Sequence, residues 1–161
     1  MILVVADTGP IHYLILIDAV DLLADLYDKL VIPQTVAKEL GHGRAPEQVR
    51  RWVESLPGWV EVHESPAYAS ARRLDLGELE AIALALELKP ASLLLDEWEA
   101  KEEALRLGLP VSGTLGVLEK ASKRGLVDLK QAIDRLLKTS FRIDSDLVRD
   151  VLSRNDGKRG E

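Results

Sequence analysis

The sequence predicts an α/β fold in which helices flank a central parallel sheet. Two observations carry this prediction. Short apolar segments alternate with helical ones along the chain, and residues 2–6 and 92–95 are continuously apolar, which is typical of strands buried on both faces. Strands that are separated by helices are expected to run parallel, because each helix returns the chain to the starting edge of the sheet.

Apolar runs and proline positions define the elements of the first half. The first strand stops at an acid, and Pro10 can open the helix that follows. Pro33 ends the second strand and suits the first turn of the next helix. The predicted strands here are 2–6, 30–32 and 59–62, and the predicted helices are 10–16, 20–27, 33–40 and 46–56.

Helical composition dominates the second half. Residues 76–88 are rich in Leu, Ala and Glu and stop before Lys89 and Pro90. Gly108 is a suitable C-cap for the next helix, and a helix starting at Gly113 ends near Gly125. The predicted strands here are 92–95 and 110–111, and the predicted helices are 76–88, 98–107, 113–125, 129–138 and 145–152.

Composition excludes several functional classes. The 161 residues suit one domain with a sizeable core. The absence of cysteine excludes disulfides, thiolate zinc sites, iron–sulfur clusters and cysteine nucleophiles, so any metal must bind oxygen or imidazole. A net charge of -6 excludes a broad basic surface for nucleic acid. Since no signal peptide or membrane-spanning segment is evident, we expect a cytoplasmic protein without membrane association.

Two aspartates follow predicted strands at the same edge of the sheet. Asp7 comes directly after residues 2–6, and Asp96 directly after residues 92–95. The reactive crevice of an open parallel sheet lies beyond the carboxyl ends of its strands, so we expect the two side chains to lie close together. Capping of the following helix explains either residue taken alone. Their equivalent positions at two strand ends weaken that explanation.

Two glutamates are further candidates. Glu78 shares a helix face with Ala81, Ile82 and Ala85, and a carboxylate facing a core requires a cation or hydrogen-bond donors. The alternative is an acid of the first helical turn, which the helix dipole stabilises. Glu39 ends its helix, where a negative charge opposes the dipole, although an ordinary surface position also explains it.

Four carboxylates without a cysteine or a histidine cluster predict a site for Mg²⁺ or Mn²⁺ rather than zinc. The histidines are widely spaced, match no metal-binding pattern, and are interpreted as surface or packing residues; they are His12, His42 and His63. Pairs of such ions can activate water and stabilise a leaving oxygen at a phosphodiester.

These residues, in this order and spacing, resemble the PIN-domain nucleases. The segments that carry the resemblance are VVADTGP around Asp7, VAKEL around Glu39, GELEAIALAL around Glu78 and LLLDE around Asp96. GTLGVL at residues 113–118, followed by further helices, is similar to the prokaryotic VapC-like branch with a C-terminal helical extension.

The resemblance implies a PIN-like three-layer sandwich and a metal-dependent endoribonuclease that cleaves RNA phosphodiester bonds with Mg²⁺ or Mn²⁺. It also implies the toxin of a toxin–antitoxin pair. The implied division is a nuclease domain at 1–125 and a helical extension at 126–153 packed on the same domain. The polar composition of residues 154–161 predicts a flexible tail.

Carried over residue by residue, the resemblance assigns catalysis to four acids, with Thr8 as a polar support. The catalytic set is Asp7, Glu39, Glu78 and Asp96, and the metal ligands are Asp7, Asp96, Glu78 and Glu97. Either Asp96 or Glu97 can be the fourth acid. Close relatives carry basic residues after this acid, whereas this chain has Glu97, Trp98 and Glu99. A catalytically weak or inactive interaction module is therefore the alternative function.

Association is expected at the early helices, which carry more apolar residues than one packing stripe requires. These residues are Ile11, Leu14, Ile15, Ile17, Leu22, Leu23 and Leu26. The resemblance implies a homodimer across this face. It also implies an antitoxin that reaches the acidic site with Arg or Lys. Of the three tryptophans, we expect at least two in the core and at most one free to stack on a base; they are Trp52, Trp59 and Trp98.

Overall fold

The computed structural model describes residues 1–159. Five strands form one parallel sheet in the order β3-β2-β1-β4-β5. The strands are β1 (Leu3–Ala6), β2 (Lys29–Pro33), β3 (Val60–His63), β4 (Ser92–Leu94) and β5 (Val111–Ser112). The helices are α1 (Thr8–Leu16), α2 (Leu22–Leu26), α3 (Gln34–Leu40), α4 (Glu47–Glu54), α5 (Leu76–Leu88), α6 (Trp98–Arg106), α7 (Thr114–Lys123), α8 (Leu129–Leu137) and α9 (Ser145–Arg159).

Alternate residues of the central strands enter two separate cores. In β1, Val4 and Ala6 pack against a core to which α1, α2, α7 and α8 contribute, whereas Val5 packs against α5 and α6. All three side chains are buried, because a strand covered on both faces exposes neither set of alternating residues. The predicted α/β class, a parallel sheet flanked by helices, is confirmed.

The early helices do not present the unpartnered apolar face that the sequence predicts. All seven apolar residues named for that face are buried inside the domain. Helix α1 contacts α3, α4 and α7, and α2 contacts β2 and α7. Because neighbours cover these helices on several sides, their many apolar positions belong to the core. The prediction of a leftover apolar face is therefore wrong, whereas the dimer itself stays a prediction.

Helix α9 extends further than the sequence predicts. It continues to Arg159 instead of ending near residue 152, so residues 154–159 are helical and not a frayed tail. Inside this stretch the buried Asn155 accepts a hydrogen bond of 2.9 Å from the Ser122 hydroxyl on α7. Residues 160 and 161 of the predicted tail lie outside the described residues. No helix in the described part of the chain combines the length and apolar character needed to cross a membrane.

The strand order places the ends of β1 and β4 side by side. Ala6 is in register with Leu94, and the Asp7 amide donates to the Leu94 carbonyl at 3.1 Å. From β1 the chain moves outward to β2 and β3, then returns to β4 on the other side of β1 and continues to β5. The carboxyl ends at such a reversal of strand order form the crevice in which α/β proteins bind ligands.

Candidate metal centre

Asp7 lies at the end of β1 and is only 8% exposed. It stands at the N-cap of α1 in an extended conformation, yet its side chain makes no capping hydrogen bond. Among the described residues, its Oδ1 atom is buried without a hydrogen-bond partner. A buried carboxylate oxygen left unpaired is energetically costly, so the position is unfavourable unless a cation or a donor meets it.

Helix α5 brings two more carboxylates to this point through its N-terminal capping box. The Glu78 amide donates to Asp75 Oδ1 at 2.8 Å, and the Asp75 amide donates to Glu78 Oε1 at 2.9 Å. These reciprocal bonds satisfy amides at the helix start and hold both side chains in place. Glu78 is therefore both an acid of the first turn and a buried carboxylate, which combines the two explanations that its sequence position allowed.

Four carboxylates converge on this site. Asp7, Asp75 and Glu78 present oxygens within 4.8 Å of one another. Glu39, at the end of α3, accepts a hydrogen bond from the Thr8 hydroxyl. The structure thus brings the predicted residues Asp7, Glu39 and Glu78 together, and the Thr8 hydroxyl contacts Glu39. Asp75 was not predicted, although the pattern Asp-x-x-Glu at the start of a helix is a recognisable capping box.

Burial and mutual repulsion disfavour the charged forms of these acids. The pKa of Asp7 is raised to about 7, first by burial and then by the charges of Asp75, Glu78 and Glu39, against a hydrogen bond from the Thr8 backbone. The pKa of Glu78 is also raised, mainly by burial, with contributions from Asp75, Glu97 and Glu39. A cation among these groups would favour their ionised forms.

Asp96 makes hydrogen bonds to α7 and is not among the three acids whose oxygens lie within 4.8 Å of one another. One of its oxygens accepts from the Thr114 amide at 2.8 Å and the other from the Thr114 hydroxyl at 2.7 Å. These bonds hold the first residue of α7. They are not the capping of the following helix that the sequence left open, because that helix is α6 and its N-cap residue, Glu97, makes no side-chain capping bond. The Thr114 amide, which belongs to the second residue of the GTLGVL segment, is thereby already hydrogen-bonded. The alternative fourth acid, Glu97, is exposed and near enough for its charge to raise the pKa of Glu78.

The acidic site fits a divalent cation. Its donors are carboxylate oxygens, which Mg²⁺ and Mn²⁺ prefer, and the unpaired Asp7 Oδ1 lies among them. The arrangement also concentrates negative charge that the protein alone does not neutralise. The residues that can hold the ion are Asp7, Asp75 and Glu78, with Glu39 at their side.

Gly77 gives a direct test of this geometry. A Cβ at this position would lie 3.0 Å from Asp7 Oδ1 and 3.2 Å from Glu39 Oε1. We therefore expect Gly77→Ala to weaken Mn²⁺ binding by roughly tenfold to a hundredfold in titration calorimetry, as changes beside metal ligands do. The free energy of unfolding of the metal-free protein should change by less than about 1 kcal/mol, because alanine is the better helix former.

The control for this substitution is Gly58→Ala, since a Cβ there would meet nothing within 4 Å. An unchanged Mn²⁺ affinity in folded Gly77→Ala would show that the metal does not bind at this cluster.

The tryptophans divide as expected between core and surface. Trp52 and Trp59 are half-buried and pack against the core, whereas Trp98, at the start of α6, is 68% exposed. Glu99, the residue after Trp98, has a carboxylate oxygen 3.6 Å from the guanidinium of Arg72.

Comparison with known proteins agrees with this site. A family model described as a PIN domain matches residues 3–156. Neither the curated proteins nor the solved structures include a significant match. The family match covers nearly the whole chain and includes every carboxylate of the cluster. The chain therefore belongs to the PIN-domain family.

Proposed function

We propose that this protein is a metal-dependent endoribonuclease that cleaves RNA phosphodiester bonds with Mg²⁺ or Mn²⁺. The observation that carries the proposal is the buried Asp7 carboxylate, whose unpaired oxygen lies among the carboxylates of Asp75 and Glu78. PIN domains are generally metal-dependent nucleases, so the family supports the same class of reaction.

Each residue of the site has a distinct task in this proposal. Asp7, Asp75 and Glu78 hold the ion, and the capping box fixes two of them. Thr8 orients Glu39 beside them through its hydroxyl. The bound metal supplies activation of water and stabilisation of the leaving oxygen. Asp96 secures the start of α7 through its hydrogen bonds to Thr114.

The biological setting is a further part of the proposal. We infer a VapC-like toxin acting in the cytoplasm, with residues 1–125 as the nuclease domain and 126–153 as its helical extension. Its antitoxin would reach the acidic site with Arg or Lys, because those side chains neutralise carboxylates that otherwise bind metal. A homodimer also stays a proposal, although the seven apolar residues first expected in its interface are buried inside the domain.

The test is cleavage of single-stranded RNA by the purified protein. We expect cleavage with Mn²⁺ or Mg²⁺ and none in EDTA. Asp7→Asn and Glu78→Gln should remain folded and lose at least about a hundredfold in rate, a loss typical of removing transition-state charge stabilisation. Glu87→Gln, an exposed acid on the same helix as Glu78, is the control and should cleave normally. Cleavage that survives both site substitutions would indicate a contaminant or another site.

The alternative is a PIN-fold interaction module with little or no activity. Two features favour it: Glu97 and Glu99 stand where the family resemblance leads us to expect basic residues, and Thr114 engages both oxygens of Asp96. A wild-type protein that binds Mn²⁺ but cleaves nothing across a broad RNA panel would support the module.

A further inference from the structure

Glu103 is a buried carboxylate that does not belong to the acidic cluster. It lies on α6 and is only 2% exposed, and Ala100 and Ala104 on the same helix are fully buried. Burying an ionised carboxylate is costly unless hydrogen-bond donors surround it, and an apolar residue of similar volume often fills such a position without loss of stability. Packing alone therefore does not account for a glutamate at this position.

Both carboxylate oxygens of Glu103 accept a hydrogen bond. One accepts from the Ser70 hydroxyl, and the other accepts from Arg106 Nε at 2.6 Å. Arg106 belongs to α6 itself, whereas Ser70 is 33 residues away in the chain. The hydroxyl oxygen of Ser70 also accepts from the Arg72 amide at 3.1 Å. Glu103 thus ties α6 to the segment that joins β3 to α5.

This connecting segment, residues 64–75, depends on a small number of anchors. It forms neither a helix nor a strand, and all its residues are half-buried or exposed. Tyr68 and Leu74 pack against the core of α5 and α6, and Ser70 lies between them in the sequence. Ordering an irregular chain loses conformational entropy at every residue. Its conformation is therefore set by such contacts.

The segment ends at Asp75, one of the residues that can hold the ion. Asp75 is the N-cap of α5 and has an extended backbone, so it stands at the junction between the segment and the helix. The Leu79 amide donates to its carbonyl oxygen at 3.0 Å, which fixes the side towards the helix. The other side follows the segment. A shift of the segment would move the Asp75 carboxylate, whose oxygens lie within 4.8 Å of those of Asp7 and Glu78.

We propose that Glu103 is a positioning residue of the metal centre. It anchors the 64–75 segment through Ser70, and so keeps Asp75 where it can share a cation with Asp7 and Glu78. The inference rests on the proposed function, since it requires a divalent cation at these acids. Contacts of this kind orient metal ligands without touching the metal.

The first test is titration calorimetry with Mn²⁺. Because loss of Glu103 could affect folding, the main variant is Ser70→Ala, which leaves the pair of Glu103 and Arg106 in place. We expect it to bind Mn²⁺ about twofold to tenfold more weakly, the effect of losing one hydrogen bond. Glu103→Leu removes both acceptors at similar volume and should show a similar loss. The double variant should bind little more weakly than either single one, because both residues act through one bond.

Ser65→Ala is the matched control for Ser70→Ala. Ser65 belongs to the same segment, but its hydroxyl donates to the carbonyl oxygens of Pro66, at 2.9 Å, and Glu80, at 3.3 Å. These contacts hold the start of the segment and do not involve α6. The control should bind Mn²⁺ with wild-type affinity, and a loss as large as that of Ser70→Ala would overturn the specific role of Glu103.

Hydrogen exchange of the metal-free protein gives a readout that does not depend on the metal. The amides of Asp75 and Glu78 close the capping box, and both should exchange about twofold to tenfold faster in Ser70→Ala than in wild type. The Gln131 amide is the internal control, because Asp128 caps α8 with a comparable bond of 3.0 Å. Equal acceleration of all three amides would indicate a general loss of stability and overturn the positioning role.

The two measurements separate this inference from the nuclease proposal. Faster exchange at Asp75 and Glu78, together with weaker Mn²⁺ binding, would support the positioning role. If wild type binds Mn²⁺, then unchanged exchange or unchanged Mn²⁺ affinity in Ser70→Ala would overturn that role and leave the metal centre intact. A wild type that binds no Mn²⁺ would overturn the metal centre and the positioning role with it.

Discussion

Asp7→Asn is expected to stabilise the metal-free protein and to abolish its stabilisation by Mn²⁺. Burial raises the pKa of Asp7 from 3.8 to about 7, so the folded protein favours the protonated form. The contribution of Asp7 to the free energy of unfolding is therefore fully present below about pH 4. It is lost as the pH rises towards the folded-state pKa of about 7. At 1.36 kcal/mol per pKa unit, the loss is of the order of 4 kcal/mol. Asparagine carries no charge and avoids this loss.

The measurement is urea unfolding at pH 5 and pH 8, in EDTA and with Mn²⁺. Wild type should lose stability between the two pH values in EDTA and regain it with Mn²⁺, because an ion that binds only the folded state stabilises it. Asp7→Asn should show a weaker dependence on pH and no response to Mn²⁺. Asp134→Asn, an exposed acid on α8, should behave like wild type. Equal pH dependence of wild type and Asp7→Asn would contradict the prediction.

Leu14→Glu combined with Ile17→Glu is expected to unfold the protein. Leu14 is fully buried and Ile17 is 3% exposed. An ionised carboxylate costs several kcal/mol at such a position, and domains of this size are stable by only about 5–15 kcal/mol. Circular dichroism should show loss of helix and no cooperative thermal transition.

The matched control is Leu105→Glu, because Leu105 is a 60% exposed leucine on α6. It should fold normally. A folded double variant with a wild-type melting temperature would show that α1 does not pack as described. Light scattering of wild type at tens of micromolar tests the homodimer without disturbing this core.

The strands were predictable because a sheet buried on both faces requires continuous apolar runs. Residues 2–6 and 92–95 show this pattern. Because an acid follows each of them, the sequence also predicted that Asp7 and Asp96 lie at the same edge of the sheet. The cluster of Asp7, Glu39 and Glu78 followed from strand and helix ends together with the family resemblance. Asp75 was missed because it is exposed and its capping role is local, so neither burial nor periodicity marks it as part of a site.

Other features depend on tertiary neighbours that no single segment reveals. The apolar residues of α1 and α2 indicate burial but do not show whether this chain or a second one provides it. The polar residues after 153 indicate a helix end, yet Asn155 packs against α7 through a hydrogen bond to Ser122. Asp96 likewise accepts hydrogen bonds from Thr114, 18 residues later in the chain, which no pattern around Asp96 reveals.

The capping box of α5 has an entropic consequence for ligand binding. Asp75 and Glu78 each use one carboxylate oxygen for a backbone amide, so their side-chain torsions are restricted once the helix forms. Immobilising a flexible side chain on binding typically costs about 0.5–1.5 kcal/mol. Folding of the helix has already ordered these two, and an arriving cation loses little of its binding free energy to rotamer freezing. The first turn of α5 thus preorganises the site, and any change that frays this turn will lower metal affinity without removing a ligand.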